Sequence, residues 1–216
     1  LKKHHPPKTK TMEVEVKLRL PHAAAHEKLT AVLAPHHVQT QTQENLFFDT
    51  PNRHLASASS ALRLRFYDLD SRCVLSLKSR PVLSAGISRV EELEQPVDPY
   101  LARAWAAQPG PLAVISGPAS EIARRVEGET EGAGLVGLGG FRNVRRVYEW
   151  EGMRVEVDET GYGFGVGYEV ECESLEPERD KMVISGLLRD NGIEFCYSGC
   201  NKFEVFMSGR LPPYPS

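Results

Sequence analysis

The sequence predicts an α+β fold in which a closed antiparallel β-barrel of about eight strands has helices packed on its outside. Short segments in which apolar residues alternate with charged ones recur along the 216 residues, and this period of two is typical of β-strands. Clean alternation is also typical of antiparallel pairing. Segments rich in alanine and leucine with helical spacing lie among the strands, and they could cover the apolar faces of a barrel.

The first strand, Met12–Leu20, shows the alternation most clearly. Its apolar face carries Val14, Val16, Leu18 and Leu20, and its charged face carries Glu13, Glu15, Lys17 and Arg19. Because like charges on one strand face repel each other, an acidic pair followed by a basic pair suits a strand that binds a divalent metal and, next to it, phosphate. An ordinary solvated strand face is the alternative, and this stretch alone favours it.

The remaining elements follow from the same patterns. A helix is predicted at 22–34, before a proline, and another at 177–190, which starts at a proline and precedes a glycine. Two helices, 102–107 and 120–126, are predicted within a helical insertion that spans 97–128. Further strands are predicted at 37–49, 61–66, 73–79, 86–94, 141–149, 153–158, 166–173 and 202–206.

Length and composition indicate one globular domain, which we place at 12–212, with 1–11 as a leader or expression remnant and 213–216 as a tail. No apolar run approaches the ~20 residues of a membrane-spanning helix, and no secretory segment is expected. The net charge of −3 gives no general attraction to nucleic acid or anionic lipid. Four cysteines without a metal-ligand spacing indicate free thiols in a reducing compartment. We therefore predict a cytoplasmic monomer that binds neither nucleic acid nor membrane.

Three glycines, Gly132, Gly134 and Gly137, match the G-x-G-x-x-G pattern of dinucleotide-binding loops. Such a loop follows a strand and opens a helix, whereas here a charged run precedes the glycines and a strand-like segment follows them. These glycines are therefore predicted to form a flexible turn, or to lie where strands approach closely.

Charged faces like that of the first strand return on most of the predicted strands. The carboxylates are Glu13, Glu15, Glu92, Glu94, Glu156, Asp158, Glu169, Glu171 and Glu173, and the cations are Lys17, Arg19, Arg63, Arg65, Lys78, Arg80, Arg145 or Arg146, and Lys202. In a sandwich of two sheets these charges would be solvated. In a barrel of about eight strands they would point inward.

The pattern fits the sandwich and the barrel about equally, and the helical segments, which need apolar strand faces to cover, favour the barrel. An unpaired buried charge costs several kcal/mol, so charges inside a barrel must be paired or bound to a ligand. A polyphosphate with its metal satisfies both signs of charge. Carboxylate oxygens bind the metal, and arginine and lysine bind the phosphate oxygens.

The segment Glu13-Val14-Glu15-Val16-Lys17 resembles the E-x-E-x-K motif of the CYTH superfamily, the triphosphate tunnel metalloenzymes. Further matches follow in the same order at Phe47–Pro51, Leu62–Arg65, Ser76–Lys78, Arg89 with Glu92 and Glu94, Val155–Asp158 and Tyr168–Glu171. The resemblance covers nearly the whole chain, and it is greatest to the small plant members that hydrolyse inorganic tripolyphosphate.

This resemblance implies a barrel that forms a tunnel with the charged residues inside. It implies that Glu13, Glu15 and Glu171 bind Mg2+ or Mn2+, with Glu169, Glu173 or Asp158 available for a second metal. The implied triphosphate ligands are Lys17, Arg19, Arg63, Arg65, Lys78 and Arg145, with Arg146 as the alternative to Arg145. Glu92 and Lys202 match positions near the terminal phosphate, where water attacks.

The activity that the resemblance implies is a metal-dependent triphosphatase that converts tripolyphosphate to pyrophosphate and phosphate. Such a reaction requires neutralisation of the phosphoryl oxygens and a metal or carboxylate that activates water. The alternatives within the superfamily are a nucleotide, thiamine or RNA triphosphatase and a class IV-type adenylate cyclase. A non-catalytic polyphosphate-binding module is a further alternative, although anion binding alone would not need so many carboxylates.

Overall fold

The computed structural model describes residues 11–215, whose strands form one nine-stranded sheet. The strands are β1 Thr11–Leu20, β2 His37–Asp49, β3 Ser60–Tyr67, β4 Arg72–Ser84, β5 Ile87–Val97, β6 Val136–Trp150, β7 Met153–Tyr162, β8 Gly165–Glu173 and β9 Cys196–Tyr197. They lie in the order β5-β4-β3-β2-β6-β7-β8-β1-β9, and β5 also pairs with β1. The first eight strands therefore close into an antiparallel β-barrel, as predicted, and the sandwich alternative is wrong. The two-residue β9 pairs with β1.

The helices that the structure describes are α1 Ala23–Leu33, α2 His54–Ser57, α3 Pro99–Ala107, α4 Ala113–Ser116, α5 Glu121–Thr130, α6 Pro177–Asp190 and α7 Lys202–Ser208, with a 3-10 turn at Ala34–His36. The four helices predicted from the sequence are confirmed. In the described part of the chain, no helix has the length and apolar character needed to cross a membrane. The predicted leader, 1–11, lies outside the described residues except for Thr11, which begins β1.

The strand predicted at 202–206 is wrong, because these residues form the start of α7. Asn201 and Glu204 make a capping box: the side chain of Asn201 accepts a hydrogen bond from the backbone NH of Glu204, and the carboxylate of Glu204 accepts one from the backbone NH of Asn201. This local capping stabilises the helix, whereas five alternating residues are too few to distinguish a strand from a short helix.

Contacts divide the chain into two compact units, and the first contains Glu44–Pro81 and Val90–Gly140. In its core, apolar residues of β3 and β4 pack against residues of α3 and α5 such as Trp105 and Ile122. The helices of the insertion therefore supply much of this core. The β3–β4 register is antiparallel and places Arg63 opposite Ser76, so that the alternate residues of these strands form a polar face.

The second unit contains Glu13–Gln43, Val82–Arg89 and the described part of Phe141–Ser216. Apolar residues of α1 and α6 pack on β1, β7 and β8, and the fully buried members include Val16, Leu18 and Leu188. Because side chains alternate along a strand, the charged residues between these apolar ones lie on the opposite face of β1, β7 and β8. Cys172 lies in the apolar core, as the strand parity predicts.

The glycine-rich segment joins a helix to a strand, which is the reverse of a dinucleotide-binding loop. α5 ends at Thr130, and β6 begins at Val136. Gly132 lies between them with φ of +75°, a backbone conformation that favours glycine. The predicted turn is confirmed at this position.

We expect His26 to make the stability of the second unit dependent on pH. Its ring is almost fully buried, lies 5.2 Å from the ring of Tyr168 and has Nε2 3.4 Å from an Arg146 guanidinium nitrogen. Burial, together with the charge of Arg146, lowers the pKa of His26 below its ordinary 6.5. The unfolded chain therefore binds a proton more readily than the folded one, and stability falls as the pH drops below about 6.5.

We expect the free energy of unfolding in urea to decrease between pH 7.5 and pH 5, and to decrease less in His26→Gln. Exposed His36 provides the matched control, since His36→Gln should retain the pH dependence of the wild type. An unchanged pH dependence in His26→Gln would contradict this assignment.

Candidate functional site

The polar face of the second unit carries a cluster of buried ions, which we call the acidic cluster. It comprises Glu15, Lys17, Arg145, Glu156, Asp158, Glu169, Glu171 and Lys202. Strand register brings opposite charges face to face, because Lys17 on β1 lies opposite Glu171 on β8, and Arg145 on β6 lies opposite Asp158 on β7. Cross-strand pairs of this kind stabilise an antiparallel sheet.

Lys202 joins three of the carboxylates. Its ammonium nitrogen lies 2.9 Å from Asp158 Oδ2, 2.7 Å from Glu169 Oε2 and 2.6 Å from Glu171 Oε1. Lys202 is the first residue of α7 and follows the Asn201 cap directly. The capping box therefore fixes the point from which this side chain reaches the strands.

Lys17 and Arg145 hold the rest of the cluster. Lys17 Nζ lies 2.6 Å from Glu15 and donates to Glu171 at 2.5 Å. The Arg145 guanidinium donates to both oxygens of Asp158, at 2.8 and 2.6 Å, and also contacts Glu156 and Glu171. Forked contacts of this kind are among the strongest ion pairs.

The pKa shifts follow from burial and from these neighbours. Burial alone would raise the pKa of fully buried Asp158, but the charges of Arg145 and Lys202 outweigh it and lower the pKa to about 2. Burial likewise opposes ionisation of Glu171, yet Lys17, Lys202 and Arg145 hold its pKa well below the ordinary value. In Glu156 burial prevails, and the pKa is raised.

The acidic cluster has an excess of negative charge. Five carboxylates surround three buried cations, so these eight residues carry a net charge of −2 when all are ionised, and exposed Arg154, 3.5 Å from Glu156, offsets part of it. A buried charge excess is costly unless a counterion or ligand offsets it. A divalent cation would offset it.

The donors of the cluster fit Mg2+ or Mn2+ by chemistry and charge, because carboxylate oxygens are the ligands that both ions prefer. Within residues 11–215, however, no group of three or more His, Cys, Asp or Glu is arranged to hold a metal. Asp158, Glu169 and Glu171 converge on the ammonium of Lys202 instead. Binding of a metal by these three residues would therefore require Lys202 to move aside.

The structure brings together four of the predicted metal ligands, Glu15, Asp158, Glu169 and Glu171. Of the other two, Glu13 is half-buried, and Glu173 is exposed opposite Glu15 on the neighbouring strand. Both stay predictions. Of the two candidate arginines, Arg145 lies in the cluster, whereas Arg146 contacts His26.

A second group of ions lies in the first unit, and we call it the arginine cluster: Arg63, Arg65, Lys78, Glu92 and Glu94. Glu92 lies 3.3 Å from both Arg63 and Lys78, and Glu94 is 3.9 Å from Arg63. Burial and the like charge of Arg65 lower the pKa of Arg63, while Glu92 opposes them. Three cations face two carboxylates here, so this cluster has the excess positive charge that an anion would offset.

Three neutral residues to which the sequence assigned no role hold the charged side chains. Ser76 accepts from Arg63 Nε at 3.1 Å, Asn45 accepts from Arg65 Nε at 2.8 Å, and Ser198 donates to Glu169 at 3.4 Å. The role of Ser76 could have been predicted from the sequence, because strand alternation places Ser76 on the same face as Lys78. Glu156 was noted as a carboxylate but was not assigned to the site.

The chain belongs to the CYTH domain family, whose model matches residues 11–194. Among solved structures, it is similar to the proposed adenylyl cyclase HpAC1 from Hippeastrum, which is described as having a dominant triphosphatase activity. The two are 52% identical with a TM-score of 0.89, and the match covers 94% of this chain and 98% of HpAC1. The search of curated protein sequences returned no significant match.

More distant structures share the fold. A proposed adenylate cyclase from Bacillus halodurans is 22% identical, with a TM-score of 0.71 and coverage of 91% of this chain and 98% of its own. The PH1819 protein of Pyrococcus horikoshii is 18% identical, with a TM-score of 0.61 and coverage of 91% and 99%. At these identities the likeness shows the fold alone.

Proposed function

We propose that the protein is a metal-dependent hydrolase of inorganic tripolyphosphate, with pyrophosphate and phosphate as products. The observation that carries the proposal is the acidic cluster, a buried set of five carboxylates with a net charge of −2 and three cations interspersed. The triphosphatase activity described for HpAC1, which is 52% identical over nearly its whole length, supports it.

The cations bind the substrate in this proposal. Lys17, Arg145 and Lys202 are held by carboxylates, and Arg63 and Lys78 by Glu92. A polyphosphate supplies anionic oxygens, which arginine and lysine bind as they bind carboxylates, so these side chains can exchange one partner for the other. Arg65 completes the proposed set. Arg19, which was also predicted to bind the triphosphate, donates instead to the carbonyl oxygens of Pro212 and Pro213 and stays a prediction.

The proposed metal is Mg2+ or Mn2+, held by Glu13, Glu15 and Glu171, with Glu169, Glu173 or Asp158 for a second ion. A metal held by these residues would supply Lewis-acid chemistry, which stabilises charge on phosphoryl oxygens and favours deprotonation of water. Glu92 is proposed to accept a proton from the attacking water, and Lys202 to neutralise the transferred phosphoryl group. Most of the rate acceleration then comes from positioning and charge neutralisation.

We further propose that the protein acts as a cytoplasmic monomer without nucleic acid or membrane. The thiols support the proposed compartment alone, since Cys73, Cys172, Cys196 and Cys200 are all free, as expected in a reducing environment.

The test is phosphate release from tripolyphosphate, ATP and pyrophosphate, each with Mg2+, Mn2+ or EDTA. Arg145→Met and Arg146→Met form a matched pair, because the two arginines are adjacent but only Arg145 contacts the carboxylates. We expect metal-dependent release from tripolyphosphate, weak release from ATP, and a loss of about 100-fold in Arg145→Met alone.

Other outcomes identify the alternatives. Tripolyphosphate binding without release would replace the hydrolase with a polyphosphate-binding module. Turnover that favours ATP would indicate a nucleotide triphosphatase, or a cyclase if cyclic nucleotide accumulates. Equal losses in both arginine variants would contradict the assignment of the acidic cluster as the site.

A further inference from the structure

Arg19 is bound by the C-terminal segment rather than by the acidic cluster. Its guanidinium donates hydrogen bonds to the carbonyl oxygen of Pro212 at 2.8 Å and to that of Pro213 at 3.3 Å. The ring of Tyr214 lies 5.9 Å from the guanidinium carbon. Two neutral carbonyl oxygens therefore accept hydrogen bonds from guanidinium NH groups whose geometry also fits phosphate oxygens. Because the guanidinium is positively charged, it binds the anionic phosphate oxygens more strongly than neutral carbonyl oxygens.

The segment Leu211–Tyr214, which we call the tail, is only partly buried. None of its four residues is buried, and Leu211 is 37% exposed. Leu211 packs over the β7–β8 turn, where a Cβ added at Gly165 would come within 2.9 Å of its Cδ1 atom. Leu211 is therefore a partly exposed apolar anchor of the tail.

A cavity of about 230 Å3 lies beside the tail, and Arg19, Tyr162, Glu169 and Tyr214 are among its lining residues. Glu169 also belongs to the acidic cluster, where Lys202 offsets its charge at 2.7 Å. Arg19 is two residues from Lys17 on the same face of β1, a separation of about 6.6 Å along a strand. The cavity therefore continues the charged face of the second unit beyond Lys17.

We propose that Arg19 and this cavity form a subsite for an additional phosphate group of an inorganic polyphosphate longer than tripolyphosphate. The carbonyl oxygens of Pro212 and Pro213 occupy the subsite when no such group is bound. The tail thereby disfavours longer chains, because they must displace it. This inference rests on the proposed hydrolase and adds a determinant of substrate length.

The first test is hydrolysis of tripolyphosphate and tetrapolyphosphate by the full chain with Mg2+. Leu211→Ser loosens the tail at an exposed position, and Leu175→Ser, also exposed, is the matched control. We expect Leu211→Ser to raise kcat/KM for tetrapolyphosphate about tenfold and to leave that for tripolyphosphate unchanged. Arg19→Gln should lower the ratio of kcat/KM for tetrapolyphosphate to kcat/KM for tripolyphosphate about tenfold. Arg19→Lys should restore part of this ratio.

The second test reports on the tail without turnover. Trypsin cuts after an exposed arginine, and Arg210 immediately precedes the tail. In EDTA, tetrapolyphosphate should accelerate cleavage after Arg210 in the wild type, whereas tripolyphosphate should not. In Arg19→Gln, the two polyphosphates should have the same effect on the cleavage rate.

The outcomes separate the two proposals. If tripolyphosphate is not hydrolysed but tetrapolyphosphate still exposes Arg210 to trypsin, the hydrolase fails and the subsite stands. If tripolyphosphate is hydrolysed but the kcat/KM ratio and the cleavage rate are unchanged in the variants, the subsite is overturned. Variants that alter turnover of ATP but not of tetrapolyphosphate would also overturn it, because the cavity would then hold a base.

Discussion

Replacing Glu171 with glutamine is expected to lower kcat for metal-dependent phosphate release by about 1000-fold. Glu171 is the one carboxylate that the structure places within 2.6 Å of Lys17, Arg145 and Lys202 alike, among the described residues. Glutamine keeps the size of the side chain but removes its charge, so the net charge of the acidic cluster changes from −2 to −1. Removing one preorganised electrostatic contact costs about 100- to 1000-fold in turnover, and this change disturbs three contacts.

The measurement pairs phosphate release with Mn2+ binding followed by electron paramagnetic resonance, which reports the metal even in an inactive variant. Glu149→Gln is the control, because Glu149 is exposed at the end of β6. We expect weaker Mn2+ binding in Glu171→Gln and wild-type behaviour in Glu149→Gln. Retention of more than a tenth of kcat together with wild-type Mn2+ affinity would rule out Glu171 as a metal ligand.

Strand alternation was enough to predict which residues share the charged face. Glu15 and Lys17 on β1 follow from the period of two, and so do Glu169 and Glu171 on β8. Their pairing did not follow, because it depends on register: a shift of one residue would move Glu171 away from Lys17 and onto the opposite face. The closed order of the strands, which excludes a solvated sandwich, is equally a property of long-range pairing.

Lys202 and Arg19 show two further limits of the sequence. Lys202 was assigned to the site from the resemblance but placed on a strand, since the capping box of α7 was not recognised. Arg19 was assigned to phosphate from the resemblance and from its neighbour Lys17. The contact of Arg19 with Pro212 and Pro213 joins segments 193 and 194 residues apart, and no local pattern predicts such a contact.

Gly140→Ala is expected to destabilise the protein by about 3 kcal/mol or more, the upper range for overpacking. A Cβ built at Gly140 would overlap the carbonyl oxygen of Asn45 and lie 2.8 Å from its carbonyl carbon and 3.1 Å from Leu46 Cα. Both partners are backbone of β2, so relief requires the strand to shift. For a chain of this size the expected fall in Tm is about 6–12 °C.

Gly137→Ala is the matched control on the same strand, because the atom closest to its Cβ is Phe48 Cε1, in ordinary contact at 3.9 Å. Gly137 belongs to the G-x-G-x-x-G pattern, whereas Gly140 does not. Comparing the Tm of the two variants therefore shows whether a glycine is required because it matches the pattern or because a side chain would not fit. A Tm for Gly140→Ala within 2 °C of the wild type would contradict this prediction, because it would show that β2 shifts at little cost.

Asn45 is fully buried and accepts a hydrogen bond from Arg65, so a shift of its backbone would also move a proposed phosphate ligand. Folded Gly140→Ala protein should therefore bind tripolyphosphate more weakly than Gly137→Ala.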